Sequence, residues 1–295
     1  MATFQLMSAD FTAEVDSIGS TLNQLKFKDR NLIEPRPIRS RYHGALLAPW
    51  PNRIADGRYS YQGKIYELDR NESSRNNALH GLVDALDWEV VEAREDFIQL
   101  KVRLNSSAGY PSELQLFSTF SLSSKGLIWK VECKNIGDKV APFGISIHPY
   151  LVTGSPTSVD DFFLKFDSHS YLEVDNERLL PLEMRDVESR NFDFSQRKRI
   201  GDLFIDHAFL TDPSNKDPRI EVTDDNGVGA FIEYDKNAHW IQIHTADREG
   251  GEDARRCLAV EPMSSPPDAF NSGIDLIHLE PESHFSMSWL IGAIK

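Results

Sequence analysis

The sequence predicts an all-β protein, an antiparallel sandwich or barrel with few short helices. Strict alternation of apolar and polar residues recurs along the chain, and turn clusters separate the alternating runs. No segment holds a helical period for long. From Ile98 to Leu104 the residues Ile98, Leu100, Val102 and Leu104 alternate with Gln99, Lys101 and Arg103. Leu127, Trp129, Val131 and Cys133 share one face of a second run, and Phe285, Met287, Trp289 and Ile291 one face of a third. Each run reads as a half-buried antiparallel strand. The punctuation is Asp56-Gly57, Gln62-Gly63, Lys125-Gly126, Asn135-Ile136-Gly137 and Asp225-Asn226-Gly227, residues that bend the backbone. Many short strands with such turns favour a sandwich or barrel over alternating βα units.

At 295 residues, with 40% apolar residues, the chain can bury a sizeable core. It shows no repeat, low-complexity tract or linker, so 1–295 is expected to be a single domain. Asp175 to Gly201, charged and weakly periodic, reads as a long excursion within it. No apolar run reaches the roughly 20 residues that span a bilayer, and the first ten residues lack a basic-then-apolar secretory pattern. The expectation is a cytoplasmic protein. Cys133 and Cys257 are the only cysteines and read as reduced core residues, too few for a disulfide framework. A net charge of -14 repels nucleic acid and anionic membranes.

Several segments carry more than packing. In Pro49-Trp50-Pro51-Asn52-Arg53 the prolines set the loop that aims Asn52 and Arg53, and a guanidinium fork suits vicinal hydroxyls or an anion. Alternation in Ile145-Ser146-Ile147-His148-Pro149-Tyr150 turns His148 away from the apolar face, with Pro149 ending the ladder. Ala78-Leu79-His80-Gly81-Leu82 sets a second histidine after an apolar stretch. In Leu258-Ala259-Val260-Glu261-Pro262-Met263 a glutamate ends an apolar strand, where burial would raise its pKa and make it a better base. A strand from His239 to His244 puts Trp240, Gln242 and His244 on one face, an aromatic platform beside an amide as a sugar-binding wall requires. Asp206, in Phe204-Ile205-Asp206-His207-Ala208-Phe209, is an acceptor among apolar neighbours. Each of these, taken singly, also has a structural explanation as a loop anchor, cap or satisfied histidine.

In order along the chain, Asn52-Arg53-Ile54, Leu79-His80-Gly81-Leu82-Val83, His148-Pro149-Tyr150, Ile205-Asp206-His207-Ala208-Phe209 and Glu261 through Asn271 closely resemble the aldose 1-epimerase (galactose mutarotase-like) family. The likeness is nearest to its bacterial branch with His-Pro-Tyr and Glu-Pro-Met-x-x-Pro-Pro-Asp-Ala-Phe-Asn, and it runs from about Asp10 to Leu290. The resemblance implies a large twisted antiparallel β-sandwich, the galactose mutarotase-like supersandwich, with a sugar cleft and no metal or organic cofactor. It implies an isomerase in which Glu261 is the base, His148 the acid, and His80 a second histidine near the ring oxygen. Arg53 and Asp206 fall where the family holds sugar hydroxyls, and Asn52, Gln242 and Trp240 join them as expected substrate contacts. Galactose-specific members carry His-Ser-Tyr-Phe-Asn-Leu where this chain has His148-Pro149-Tyr150-Leu151, which leaves the identity of the sugar open.

The expected partner is thus a small-molecule aldose, with no nucleic acid or membrane, and the protein a monomer or homodimer. Base and acid would need separate environments, the carboxylate ionised while the imidazole is protonated. The alternatives are a mutarotase for a 6-phosphorylated or sulfonated hexose, with Arg41, Arg53 and Arg75 as candidate cations, or a catalytically silent sugar-binding protein. A glycoside hydrolase would need a second carboxylate across the cleft, for which Asp206 is the candidate. A metal-dependent hydrolase is disfavoured, because His239 and His244 lack helical spacing and an adjoining carboxylate motif.

Overall fold

In the computed structural model, which describes residues 2–35, 42–155, 158–212, 214–215, 218–247 and 254–295, the alternating runs are strands. Ile98, Leu100, Val102 and Leu104 lie on the buried face of Phe97–Leu104, and Trp129, Val131 and Cys133 on that of Gly126–Asn135. These two strands belong to a nine-stranded sheet whose spatial order is Glu89–Arg94, Phe97–Leu104, Leu114–Ser123, Gly126–Asn135, His284–Ile294, Gly229–Tyr234, Arg219–Thr223, Phe163–Lys165 and Lys198–Arg199. A four-stranded meander occupies Thr3 to Asn31. A six-stranded sheet runs in the order Tyr150–Leu151, Leu258–Met263, Trp240–His244, Asp206–Thr211, Ser168–Val174 and Pro181–Asp186. The strand pairs in all of these sheets are antiparallel. The fold is the all-β sandwich that the sequence predicts, and among the described residues helix is confined to short turns such as Ala269–Ser272.

The six-stranded sheet places the site. One face carries Phe209, Ile241, Ile243, Leu258 and Val260, which join Trp129, Met287 and Trp289 of the large sheet in one apolar cluster. Fully burying a side chain such as Val260 contributes about 1.5–3 kcal/mol, so the period-two pattern fixes which side chains must point the other way. Those are Asp206, Gln242, His244 and Glu261.

The strand bearing the glutamate does not end there. It runs through Met263, with Pro262 opposite Ile241. The Pro262 carbonyl accepts from Ser146 Oγ and Trp289 Nε1, both off the sheet. The missing N–H of proline therefore falls on the side away from the neighbouring strand and costs no ladder bond. Pro149 likewise breaks one ladder and permits another: Ser146–Ile147 pairs with Leu46–Leu47, and Tyr150–Leu151 pairs with Leu258 and Ala259.

The stretch from Asp175 to Gly201 is more ordered than its composition suggests. It holds the edge strand Pro181–Asp186, a 3-10 turn at Val187–Arg190 and the short strand Lys198–Arg199. Five of the six residues of Pro181–Asp186 are exposed, which is why no alternation shows there. Both cysteines are buried thiols. No helix among the described residues is long and apolar enough to cross a membrane.

Candidate active site

The polar face of the six-stranded sheet floors a cleft of about 130 Å³. Gln242 stands directly across from Glu261 and Asp206 across from His244 in adjacent strand pairs. The rest of the lining is Tyr42, Asn52, His80 and His148 from loops, Arg53 and Leu79 from a short strand pair, and Tyr150 from the edge strand of the same sheet.

These loops are stapled by their own backbones. The His148 N–H donates to Ala45 O at 2.9 Å, and the His148 carbonyl accepts from Gly44 N at 2.9 Å. Gly44 is in the left-handed region (φ 67°), and a Cβ there would lie 2.0 Å from Leu22 O, so only glycine fits. Arg53 lies on the short strand Arg53–Ala55, paired with Asn77–Leu79. Asn52 and His80 flank that pair with φ of 56° and 63°. They clasp each other: His80 N donates to Asn52 O at 2.9 Å, and Asn52 N donates to His80 Nδ1 at 3.1 Å. The second bond also decides a tautomer. An Nδ1 that accepts leaves the hydrogen of the neutral ring on Nε2, so His80 offers the cleft a donor.

His148 Nε2 lies 3.3 Å from Glu261 Oε1, with the imidazole 6% and the carboxyl 2% exposed. The His148 ring sits edge-on to His80 and beside Tyr150, at centroid distances of 5.1 and 5.0 Å. Burial raises Glu261 well above the ordinary carboxyl value and nearby Asp206 adds to the rise, against the pull of Arg53. Burial also pushes His148 down to about 3, with His244 and His43 adding to the fall. The two groups therefore do not have the separate environments expected from sequence. They share one buried pocket that favours the neutral pair, Glu261 carrying the proton and His148 free of it.

Asp206 behaves oppositely: burial would raise it, yet the charges of His244, Arg53 and His207 and a 2.7 Å bond from Gln242 Nε2 hold it below the usual range. Arg53 stays charged because Asp206, Glu72 and Glu261 outweigh its burial. Four buried polar atoms of the cleft have no hydrogen-bond partner among the described residues: His148 Nδ1, Gln242 Oε1, Glu261 Oε2 and His244 Nδ1, the last 3.7 Å from Asp206 Oδ2. Such groups are costly unless something bonds them.

Ligand atoms of His80, His148 and Glu261 lie within 4.8 Å of one another, a spacing that could bracket a cation. The donor set fits one poorly, since a metal needs a lone pair from each imidazole and the Asn52 N–H keeps a hydrogen on the His80 nitrogen that faces the cleft.

The cleft thus assembles Glu261, His148, His80, Arg53, Asp206, Asn52 and Gln242 from the sequence-derived set. Trp240 stands apart. It shares a sheet face with Gln242 but packs one step away with Leu172, Ala208 and Met263, and its Nε1 donates to Asp275 at 2.8 Å. The rings lining the cleft are instead Tyr42 and Tyr150. Arg41 lies outside the described residues. Arg75 serves the loop, donating to Glu72 at 3.0 Å. His244 was legible from the alternation that singled out Gln242, whereas Tyr42 and Glu72 carry no sequence signal.

The rest of the Glu261–Asn271 motif is scaffolding. Asp268 N donates to Arg53 O at 2.7 Å, its carboxylate accepts from Ala55 N at 2.9 Å, and Asn271 Nδ2 donates to Arg58 O at 3.0 Å. The motif clamps the strand that carries Arg53.

The family model described as Aldose 1-epimerase matches residues 3–290. The chain is 36% identical over 282 residues to the uncharacterized protein YihR of Escherichia coli (strain K12), covering 94% of this chain and 89% of that one. It is 26% identical to a galactose mutarotase of Sus scrofa, over 89% and 82% of the two chains. Among solved structures, a GalM/aldose epimerase homologue from C. elegans superposes with a TM-score of 0.88 at 19% identity, covering 99% of this chain and 98% of that one. At that identity the likeness speaks for the fold.

Proposed function

The chain belongs to the aldose 1-epimerase family, and from that premise we propose that its cleft interconverts the α- and β-anomers of an aldose with Glu261 as general base and His148 as general acid. The observation that carries this reading is the buried carboxyl–imidazole pair at 3.3 Å in a cleft where four polar atoms lack a hydrogen bond among the described residues. O1 and O5 of a hemiacetal share one carbon, so a base for one and an acid for the other must themselves be neighbours.

In ring opening Glu261 takes the O1 proton while His148 delivers one to O5. The C1–O5 bond breaks, its electron pair stays on O5, and C1 becomes the aldehyde carbon. Rotation about C1–C2 followed by the reverse transfers closes the ring on the other face. His80 Nε2–H stabilises the charge that develops on the ring oxygen. Positioned acid and base groups each contribute about 10²–10⁴-fold.

The pair holds a single proton throughout. Ring opening begins from ionised Glu261 and protonated His148, one short proton transfer from the neutral pair, and it ends with the neutral pair that burial favours. Ring closure then uses that form directly, with Glu261 donating to O1 and His148 accepting from O5. No exchange with solvent is needed.

Arg53, Asp206, Asn52, Gln242 and His244 take the ring hydroxyls, Asp206 as an acceptor and Arg53 as a donor. The commitment of the Arg53 fork to Glu72 supports a neutral aldose over an anionic one. NMR exchange spectroscopy on glucose, galactose, glucose 6-phosphate and a sulfonated hexose tests this. Accelerated exchange of a neutral aldose is the expected result. Acceleration of the anionic sugars alone would overturn the substrate class, and none on any aldose the function.

A further inference from the structure

The geometry points to Glu72 as a positioning residue: it tethers Arg53, so that the guanidinium faces the sugar instead of closing on the Asp206 carboxylate. This rests on the mutarotase reading above. Arg53 Nε and Nη2 donate to Glu72 Oε2 and Oε1 at 2.9 and 3.0 Å, a fork-to-carboxylate pair with side chains 10% and 9% exposed. Asn77 Nδ2 adds a bond to Oε2 at 2.9 Å and Arg75 Nη1 one to Oε1 at 3.0 Å. Four donors thus fill the four acceptor positions of one carboxylate. A group held so completely does not move with its partner.

The anchor is itself anchored. Glu72 and Asn77 bond each other through their backbones, at 3.1 and 3.3 Å. Asn77 exchanges bonds with Arg178, giving one to the Arg178 carbonyl at 3.1 Å and taking one from its Nη2 at 3.0 Å. Arg178 also donates to the carbonyls of Arg75 and Asn76. A loop from the far edge of the six-stranded sheet thereby locks the turn that holds Arg53.

Such a tether has a reason in the charges of the cleft. Asp206 and Glu261 both act on Arg53. A guanidinium released from Glu72 has two carboxyl groups within its field among buried side chains, where charge pairing is strong. Pairing with Asp206 would cancel donor and acceptor together at the hydroxyl-binding end. Glu72 holds the cation back and keeps both available to the sugar.

The test is Glu72→Gln, which keeps the shape and removes the charge, assayed for anomer exchange beside Arg53→Ala and the double variant. The expected result is a KM raised about tenfold or more, the scale of one hydrogen bond to a charged group, with kcat changed far less. In the Arg53→Ala background Glu72→Gln should have no further effect on KM, because the two act as one unit. Glu72→Asp keeps the charge but shortens the reach, and provides the same reading if the glutamine variant folds poorly. An unchanged KM in a folded variant, or a full second loss in the double variant, overturns the proposal. If the wild type exchanges no anomers, the function reading fails instead, and sugar affinity measured by calorimetry on the same variants still decides the role of Glu72.

Discussion

Replacing Glu261 with glutamine should make the enzyme slower and more stable at once, and the two effects have the same cause. Glutamine fills the same space and can bond His148, but it cannot take a proton from O1 or share one with the imidazole 3.3 Å away. Removing a positioned base costs about 10²–10⁴-fold, or ~2.7–5.5 kcal/mol at about 1.36 kcal/mol per decade. In the proposed mechanism the pair works through one shared proton, so the loss belongs at the upper end of that range. It should fall on kcat, because Arg53, Asp206 and Gln242 remain to hold the sugar.

The stability effect follows from linkage. Glu261 is an acid whose pKa in the folded protein is raised by burial, with Asp206 adding to the rise. Above pH about 4.5 the unfolded chain releases this proton while the folded one keeps it. The unfolded state then binds fewer protons, and stability falls as pH rises toward the folded value. Glutamine has no proton to release. The melting temperature of the variant should therefore exceed that of the wild type, by a margin that widens from about pH 4.5 upward. Exchange NMR and scanning calorimetry on the same samples read both effects. A variant that keeps wild-type kcat refutes the base assignment. One whose melting temperature stays below that of the wild type by the same amount at every pH refutes the burial argument.

Two other outcomes follow from the same geometry. The active pair carries one proton, so activity is lost when it gains a second or loses the last. With His148 depressed to about 3, kcat/KM corrected for the uncatalysed reaction should show no acid limb in the usual histidine range, and one centred near pH 6.5 would contradict the shared buried pocket. Trp240→Phe should leave kcat and KM within about twofold of wild type while destabilising the fold by ~0.5–1.5 kcal/mol through the lost bond to Asp275; a large rise in KM would put Trp240 back at the sugar.

Much of this architecture was legible in the sequence because a β-strand announces its two faces. The alternation that buries Ile241, Ile243 and Val260 is the same one that turns Gln242, His244 and Glu261 to the cleft. Alternation does not report distance along the sheet. Trp240 and Gln242 share a face by period, but the cleft stops between them, and Trp240 packs against Met263 and Leu172. The two prolines act differently. Pro149 ends the ladder of Ser146–Ile147, as its position predicts, and a new pairing starts at Tyr150, whereas Pro262, expected just past the end of its strand, lies within it because its missing N–H faces away from the neighbouring strand.

What sequence could not show is what lies behind the functional residues. Glu72 sits in a polar turn between Asn71 and Ser73, with no apolar period around it, and nothing local sets it apart from a solvated surface glutamate. Its importance comes from Asn77, Arg75 and Arg178, one of them more than a hundred positions away, which converge to bury a carboxylate that would otherwise face water. The Asp268–Asn271 turn works in the same way, reaching back to Arg53 and Ala55. The two supports act on Arg53 from different directions, the turn on its backbone and Glu72 on its guanidinium. A residue that must stay charged and open among acidic neighbours needs both, because fixing the main chain alone would leave a long side chain free to collapse onto Asp206.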